Sequence, residues 1–228
     1  MHVRGKAAVE VFQLGPGLFV AVDQRPEEGT AQVPAAPNTE KKKARRHGEE
    51  IEPPFDIPDS WRWVQLGDVV FNHGQKKPST DFAYIDIGSI DNKHQRLSDN
   101  EIIVHPADAS PRARKIVHQG DVIYSTVRPY LHNVCVIDRE FSHEPIASTG
   151  FAVMACVPCL DNRFLFYYLL SPDFDRYANS SENAKGVAYP AISDKRLYNA
   201  PFPLPPLAEQ KRIVAKLEEL LPLCERLK

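Results

Sequence analysis

Short strand-like segments come first along the central part of this sequence, and helical segments come only after them. Six segments rich in β-branched and aromatic residues, separated by turn residues, are predicted to be strands: 84–87, 102–104, 115–117, 122–125, 133–137 and 150–154. The first strong helical pattern is 162–170, which ends before Pro172, and a second short helix is predicted near 173–178. Strands grouped before helices predict an α+β fold with a twisted mixed or antiparallel sheet and short helices.

A longer helix with coiled-coil spacing follows Pro205 and Pro206, two residues that suit the first turn of a helix. Six residues share one face of this helix: Leu207, Gln210, Val214, Leu217, Leu221 and Cys224. The stripe predicts either packing on the helix's own domain or a coiled-coil-type interface with a second helix. Pro222 weakens the second interpretation, because a proline inside a helix removes a hydrogen bond and kinks or ends it.

The N-terminal segment differs in composition from the rest of the chain. A hairpin is predicted from strand-like residues 9–14 and 18–22 around the turn Gly15-Pro16-Gly17. A flexible linker is predicted for 30–50, which has almost no large apolar residue and carries the basic run 41–46. We therefore expect three parts: an extension with a basic linker (1–50), a compact domain (51–204) and the start of a helix (205–228).

Composition limits the classes of protein to which the chain can belong. Its formal charge of −2 over 228 residues requires any nucleic-acid surface to be a local basic patch. No apolar run is long enough to span a membrane, and the N-terminus lacks a signal-peptide pattern. The four cysteines have no disulfide-framework spacing, so they are predicted to be reduced in a cytoplasmic protein.

Catalytic motifs are missing from the sequence. It contains no GxGxxG, Walker, HExxH or GxSxG motif. Cys156 and Cys159 have metal-ligand spacing but no second pair, and two buried thiols at a strand end are the favoured interpretation. Asp86, Asp91 and Lys93 resemble part of a nuclease site, although Asp91 followed by asparagine favours a turn. We expect no catalytic residue, no metal site and no cofactor of the chain's own.

Polar, aromatic and basic side chains recur instead on the predicted loops. Residues of these types make phosphate contacts and read base edges in DNA. Each loop taken alone is better explained as a solvated connection, but four such loops together make a binding surface an equally good interpretation. The candidate contact residues are Lys76, Lys77, Ser125, Thr126, Arg128, Tyr130, Asn133, Lys185 and Tyr189.

Four segments in this order resemble the specificity subunit of Type I restriction–modification systems: 57–68, 120–130, 189–193 and 203–214. The first three are similar to parts of the family's target-recognition domain. Segment 203–214, with sequence PLPPLAEQKRIV, is similar to the junction where that domain gives way to a long spacer helix. The resemblance covers residues 51–228.

The resemblance implies sequence-specific binding of double-stranded DNA by a subunit without catalytic activity. The family's full subunit has two recognition domains and two helices, which pair as an antiparallel coiled coil. An S-adenosylmethionine-dependent adenine methyltransferase subunit docks on the helices, and an ATP-driven motor–nuclease subunit completes the enzyme. Both cofactors would thus be bound by partner subunits.

This chain contains one such domain and the beginning of one helix, so it corresponds to a fragment or to a half-subunit. A half-subunit would dimerise through the helix and read a palindromic split target. The alternative is a protein–protein adaptor that assembles through the same helix. A free-standing nuclease, a third hypothesis, would cleave DNA alone.

Overall fold

The computed structural model describes residues 9–15, 18–23, 54–185 and 190–225, with side chains described within 54–183 and 190–224. Its strands are β1 (Val9–Gly15), β2 (Leu18–Asp23), β3 (Arg62–Gln65), β4 (Val70–Phe71), β5 (Phe82–Ile85), β6 (Ile90–Asp91), β7 (Arg96–Leu97), β8 (Ile103–Val104), β9 (Ala113–Ile116), β10 (Val122–Ser125), β11 (Val134–Val136), β12 (Glu144–Ser148), β13 (Phe151–Cys156), β14 (Ala184–Lys185), β15 (Ala191–Ile192) and β16 (Pro201–Leu204). Its helices are α1 (Leu66–Val69), α2 (Asn162–Leu169), α3 (Pro172–Asn179), α4 (Asp194–Tyr198) and α5 (Leu207–Glu225). Short 3₁₀ turns occupy Ile87–Ser89, Pro106–Asp108 and Pro129–Leu131.

Two four-stranded sheets form the centre of the domain. Sheet I has the strand order β11-β10-β13-β4, and all its neighbours are antiparallel. Sheet II has the order β8-β5-β12-β9, in which β12 pairs parallel with β5 and antiparallel with β9. The predicted α+β fold with a mixed and antiparallel sheet is therefore confirmed.

Sheet I is buried on both faces, because alternate residues of its strands enter different hydrophobic cores. In β10, Val122 and Tyr124 belong to the core beneath the helices, whereas Ile123 belongs to a second core that includes Ile85 and Ala147 of sheet II. This alternation follows from the two-residue period of a strand. The layers are therefore helices, sheet I and sheet II, and burial on both faces explains the continuous apolar runs of β10, β11 and β13.

Polar caps fix the points where the helices begin. The Asp161 carboxylate accepts hydrogen bonds from the first turn of α2, and the Ser171 hydroxyl accepts one from Phe174 in α3. Such caps satisfy backbone N–H groups that a helix leaves without partners. Ser171 and Pro172, which end the first predicted helix, therefore also start the second.

The two ends of the domain meet in an antiparallel pair. Strand β3, at its start, pairs with β16, which immediately precedes α5, so that Trp63 lies opposite Pro203. Trp61 is buried in the helix-side core, whereas Trp63 is half-buried beside the ring of Phe55. The position of α5 is thus fixed by the first strand of the domain.

The N-terminal hairpin is confirmed as a strand pair, since β1 and β2 are antiparallel. The predicted linker at 30–50 lies outside the described residues, so the boundaries of the three predicted parts stay a prediction. Within the described ranges, no helix has the length and apolar character needed to cross a membrane.

Candidate nucleic-acid interface

The loop between β10 and β11 is held in an unusual backbone conformation. Arg128 and His132 both have left-handed backbones, with φ of 51° and 50°, on either side of the 3₁₀ turn Pro129–Leu131. A non-glycine residue in this region costs of order 1–3 kcal/mol, so surrounding contacts must hold it there. One such contact is made by His132, whose Nε2 lies 2.6 Å from Asp175 Oδ1 in α3. The loop is therefore fixed in shape, with Tyr130 exposed at its tip.

Backbone hydrogen bonds connect this loop to the segment around β15. The Arg128 N–H donates to the Pro190 carbonyl at 2.7 Å, and the Ile192 N–H donates to the Thr126 carbonyl at 2.9 Å. Strand β15 pairs in turn with β14, which carries Lys185. Arg128 and Lys185 are 57 positions apart in sequence. They thus lie on segments that are both connected to β15. Tyr189, the other candidate from this region, lies outside the described residues.

Three of the predicted contact residues are buried, and the hydroxyls of two of them are bonded inside the domain. The Ser125 hydroxyl donates to the Val127 carbonyl at 2.9 Å, and the Thr126 hydroxyl donates to the Gly150 carbonyl at 3.0 Å. Asn133 is 6% exposed, and its backbone carbonyl accepts from the Ser125 N–H. In this conformation these residues shape the loop, and a direct contact with DNA stays a prediction for them.

Lys76 and Lys77 lie in an extended segment that runs beside β9. The Lys76 N–H donates to the Arg114 carbonyl at 2.9 Å, and its ammonium group pairs with Glu144. Lys77 is exposed. The arginines of β9 and of the turn before it therefore lie next to the predicted lysines, although Arg112 and Arg114 were not among the sequence candidates. The alternating sequence Arg112-Ala113-Arg114 is the signal that could have identified them.

A chain of backbone hydrogen bonds joins the lysine segment to the Arg128 loop. Thr149 donates to the Arg112 carbonyl at 2.8 Å, and the next residue, Gly150, accepts the Thr126 N–H at 2.9 Å. We call this set of cations on connected backbones the basic loop cluster: Lys76, Lys77, Arg112, Arg114 and Arg128. A chain of net charge −2 requires a local basic patch in order to bind DNA, and we predict that this cluster forms it.

The first half of α5 is packed on its own domain. Gln210 is fully buried; its amide nitrogen donates to the carbonyls of Cys159 and Pro205 at 2.9 and 2.8 Å, and its oxygen accepts from the Asp161 N–H at 2.8 Å. Val214 and Leu217 are buried in the helix-side core. We call Gln210, Val214 and Leu217 the helix anchor. Packing on the helix's own domain, one of the two interpretations of the stripe, therefore accounts for these three residues.

The rest of the predicted stripe is more accessible. Leu207 is 37% exposed, and Leu221 and Cys224 are half-buried. The helix continues through Pro222 to Glu225, so the proline does not end it there. Leu221 also packs in part against the helix-side core. An interface with a second helix stays a prediction, and these three residues are the part of the stripe that the domain leaves at least partly accessible.

The other candidate groups from the sequence have structural roles. Asp86 caps a 3₁₀ turn, and the Asp91 carboxylate accepts from the Lys93 N–H at 3.0 Å, so the turn interpretation of Asp91 is confirmed. A hydrogen bond from His94 holds the pKa of Asp91 below its usual value. Burial, together with the negative charges of Asp161 and Asp121, raises the pKa of Cys156 to about 12. Cys156 is half-buried and Cys159 is exposed, so the prediction of two buried thiols was wrong.

Comparisons with known proteins agree on one family. Residues 58–227 match the family described as "Type I restriction modification DNA specificity domain". The specificity subunit of the Type I restriction enzyme EcoAI from Escherichia coli is 30% identical over 199 residues, covering 78% of this chain and 31% of the relative. The EcoDI specificity subunit from the same organism is 29% identical over 171 residues, covering 72% and 35%.

A solved structure has the same architecture. The crystal structure of the HsdS subunit from Thermoanaerobacter tengcongensis superposes with a TM-score of 0.68 at 36% identity, covering 76% of this chain and 45% of that one. The chain thus spans about a third of the length of the curated relatives and under half of the solved one. With three-quarters of its residues inside the family match, this chain belongs to the Type I restriction–modification DNA specificity family.

Proposed function

We propose that this chain recognises a specific double-stranded DNA sequence for a Type I restriction–modification complex. The observation that carries the proposal is the basic loop cluster, whose cations lie on segments that backbone hydrogen bonds connect to the Arg128 loop. Arg128 can pair bidentately with guanine in the major groove, and Lys77, a flexible point charge, suits a phosphate. Tyr130, exposed at the loop tip, adds an apolar and hydrogen-bonding contact.

The rigidity of the Arg128 loop favours reading of sequence over general attraction to DNA. A cation on a mobile segment neutralises phosphates at any sequence, whereas base readout requires donors held at defined positions. The left-handed residues Arg128 and His132, the Asp175 contact and the bond to Pro190 fix the loop before DNA arrives. Less ordering entropy is then lost on binding, which favours affinity.

The chain's role in this proposal is recognition without catalysis. The methyltransferase and the motor–nuclease would be separate subunits, and S-adenosylmethionine and ATP would be bound by them. Cytoplasmic location, predicted from the cysteines, belongs to the same proposal. The accessible residues of α5 (Leu207, Leu221 and Cys224) would contact the methyltransferase or a second copy of this chain.

The decisive experiment compares duplexes at several salt concentrations. Methylome sequencing of the source cell with and without the gene would identify a split, adenine-methylated motif. Fluorescence anisotropy would then measure binding of the purified chain to that duplex and to a scrambled duplex of equal length. We expect tighter binding to the motif at every salt concentration, with parallel linear plots of log K against log salt.

The adaptor hypothesis predicts the opposite outcome in the same assay. An inert loop cluster would leave the two duplexes indistinguishable, while mass photometry would still detect assembly through α5. Equal binding to the motif duplex and the scrambled duplex would therefore reject DNA recognition, and so would a methylome that loss of the gene leaves unchanged. Metal-dependent cleavage of either duplex by the purified chain would instead reject the non-catalytic role.

A further inference from the structure

Two histidines and one aspartate meet at the end of β10 opposite to the Arg128 loop. His73 follows β4, and His118 and Asp121 lie in the turn that joins β9 to β10. One ligand atom from each of the three lies within 4.8 Å of the others. His73 Nε2 is 3.1 Å from Asp121 Oδ1, and the two imidazole ring centres are 4.0 Å apart. We propose that these three side chains bind a divalent transition-metal ion such as Zn²⁺.

The aspartate is the best-fixed of the three ligands. Asp121 is 3% exposed, and its Oδ2 accepts a hydrogen bond from the backbone N–H of His118 at 2.7 Å. Its other oxygen, Oδ1, faces the His73 ring. A buried carboxylate is costly unless a cation compensates for its charge. Within the described part of the chain, His73 is the side chain that faces Asp121 Oδ1, at 3.1 Å. A metal ion held between the two would place a positive charge against this carboxylate.

Backbone hydrogen bonds hold the turn that carries Asp121. The Gly120 N–H donates to the Ile137 carbonyl at 2.8 Å, and the Ile137 N–H donates to the Asp121 carbonyl at 2.8 Å. The Asn162 side chain donates to the Gly120 carbonyl at 2.9 Å, which ties the turn to α2. Outer bonds of this kind orient ligands at metal sites. The carboxylate is thus positioned without the metal.

The ligand chemistry selects the class of ion. Imidazole nitrogens with one carboxylate suit zinc and its first-row neighbours, whereas Mg²⁺ and Ca²⁺ prefer oxygen ligands alone. Tetrahedral zinc with bonds of about 2.0–2.1 Å requires ligand atoms about 3.3 Å apart. The His73–Asp121 pair already has this separation, and the exposed His118 ring can rotate to complete it. The fourth position would open on the adjoining cleft of about 370 Å³, which Asp121 and Asn162 help to line.

The test is a titration of the full chain with Zn²⁺ after removal of bound metal by a chelator. Calorimetry should give one site per chain, and the melting temperature should rise with zinc concentration because the ion binds the folded state. Mg²⁺ at the same concentrations should not change the melting temperature. Co²⁺, substituted for Zn²⁺, should give the visible absorption bands of a site with nitrogen ligands.

Variants of the two histidines decide whether this cluster is the site. His73→Ala and His118→Gln should each weaken zinc binding at least about 10-fold, the scale of effects seen even at outer-shell residues. His143→Ala, which removes an exposed histidine outside the cluster, is the matched control and should bind as the parent chain does. Because His118 is exposed, His118→Gln should fold normally even if His73→Ala does not.

Unchanged stoichiometry and affinity in His118→Gln would overturn the proposal, since the ion would then bind elsewhere. Absence of any Zn²⁺ binding by the parent chain would overturn it equally. Neither result bears on DNA recognition, because the cluster and the Arg128 loop lie at opposite ends of β10.

Discussion

The basic loop cluster and the helix anchor place polar groups in opposite ways. In the helix anchor, Gln210 is fully buried, and its amide is bonded to three backbone groups of the domain. In the loop cluster and the Arg128 loop that it includes, the buried hydroxyls of Ser125 and Thr126 at the start of that loop bond inward, while Lys77 and Tyr130 remain exposed. One region uses all its polar groups to hold the fold, whereas the other divides them between holding the loop and facing outward.

The difference indicates which changes each region tolerates. Substitutions in the helix anchor should reduce the free energy of unfolding. Substitutions of the outward-facing side chains of the loop cluster should alter DNA binding with little effect on stability, because surface changes away from buried features usually fall within about 0.5 kcal/mol. Three experiments test this difference, and a fourth tests a contrast in burial between two cysteines elsewhere in the domain.

The largest effect is expected from a cavity in the helix anchor. Leu217 is 2% exposed, so Leu217→Ala should lower the free energy of unfolding by about 3 kcal/mol. Leu223→Ala, on the same helix at 48% exposure, is the control and should change it by less than about 0.5 kcal/mol. Urea denaturation followed by circular dichroism measures both. Equal effects in the two variants would mean that the two halves of α5 do not differ in packing.

The second effect comes from the buried amide. Gln210→Ala leaves the Asp161 N–H and the Cys159 and Pro205 carbonyls without this partner, and we expect a loss of about 2 kcal/mol. Lys211→Ala, at the exposed neighbouring position, should have no measurable effect on the urea midpoint. A midpoint for Gln210→Ala that matches Lys211→Ala would contradict an anchoring role for the amide.

The third effect falls on DNA affinity. Arg128→Ala should weaken binding to the target duplex by about 1–3 kcal/mol and relax discrimination against the scrambled duplex. Lys77→Ala should weaken binding to both duplexes alike and reduce the slope of log K against log salt by about 1. Lys216→Ala, a charge-matched control on α5, should do neither. If Arg128→Ala leaves affinity, discrimination and salt slope unchanged, Arg128 does not lie at the interface.

The smallest effect concerns thiol reactivity and leaves stability unchanged. Because the pKa of Cys156 is raised to about 12, its reactive thiolate is scarce at pH 8, whereas Cys159 is exposed. Iodoacetamide at pH 8 should therefore label Cys159 well before Cys156, as peptide mass spectrometry would detect. The rate of iodoacetamide labelling at Cys156 should rise as the pH approaches 12, because only the thiolate reacts. Comparable labelling of the two at pH 8 would show that Cys156 is not shielded.

The sequence predicted the parts of the fold that depend on local pattern. The strands at 122–125 and 150–154 and the helix at 162–170 correspond to β10, β13 and α2, because their apolar runs and turn signals are local. Strand β12 was missed, since Pro145 argues against an inner strand. The pairing of β3 with β16 joins residues about 140 positions apart, and no local pattern encodes such a pairing.

The candidate site was predicted less completely, for reasons of geometry. The chemistry of Arg128 and Tyr130 identified the loop, but the left-handed backbones of Arg128 and His132 carry no signal in non-glycine residues. The Ser125 hydroxyl turns inward to the Val127 carbonyl, which the local turn positions. The Thr126 hydroxyl turns inward to the Gly150 carbonyl, which a distant segment supplies. Residue types therefore indicated a contact surface, while tertiary structure decided which groups face it.

Sheet I, with one core on each face, has a consequence for how the domain unfolds. Val122 and Ile123 are neighbours in β10, yet each contributes to a different core. Opening either core would expose β10, which the other core also requires, so neither core can unfold without the other. Amide hydrogens of β10 and β13 should therefore exchange together, by global opening. Spectroscopic probes placed in the two cores should report the same denaturation midpoint.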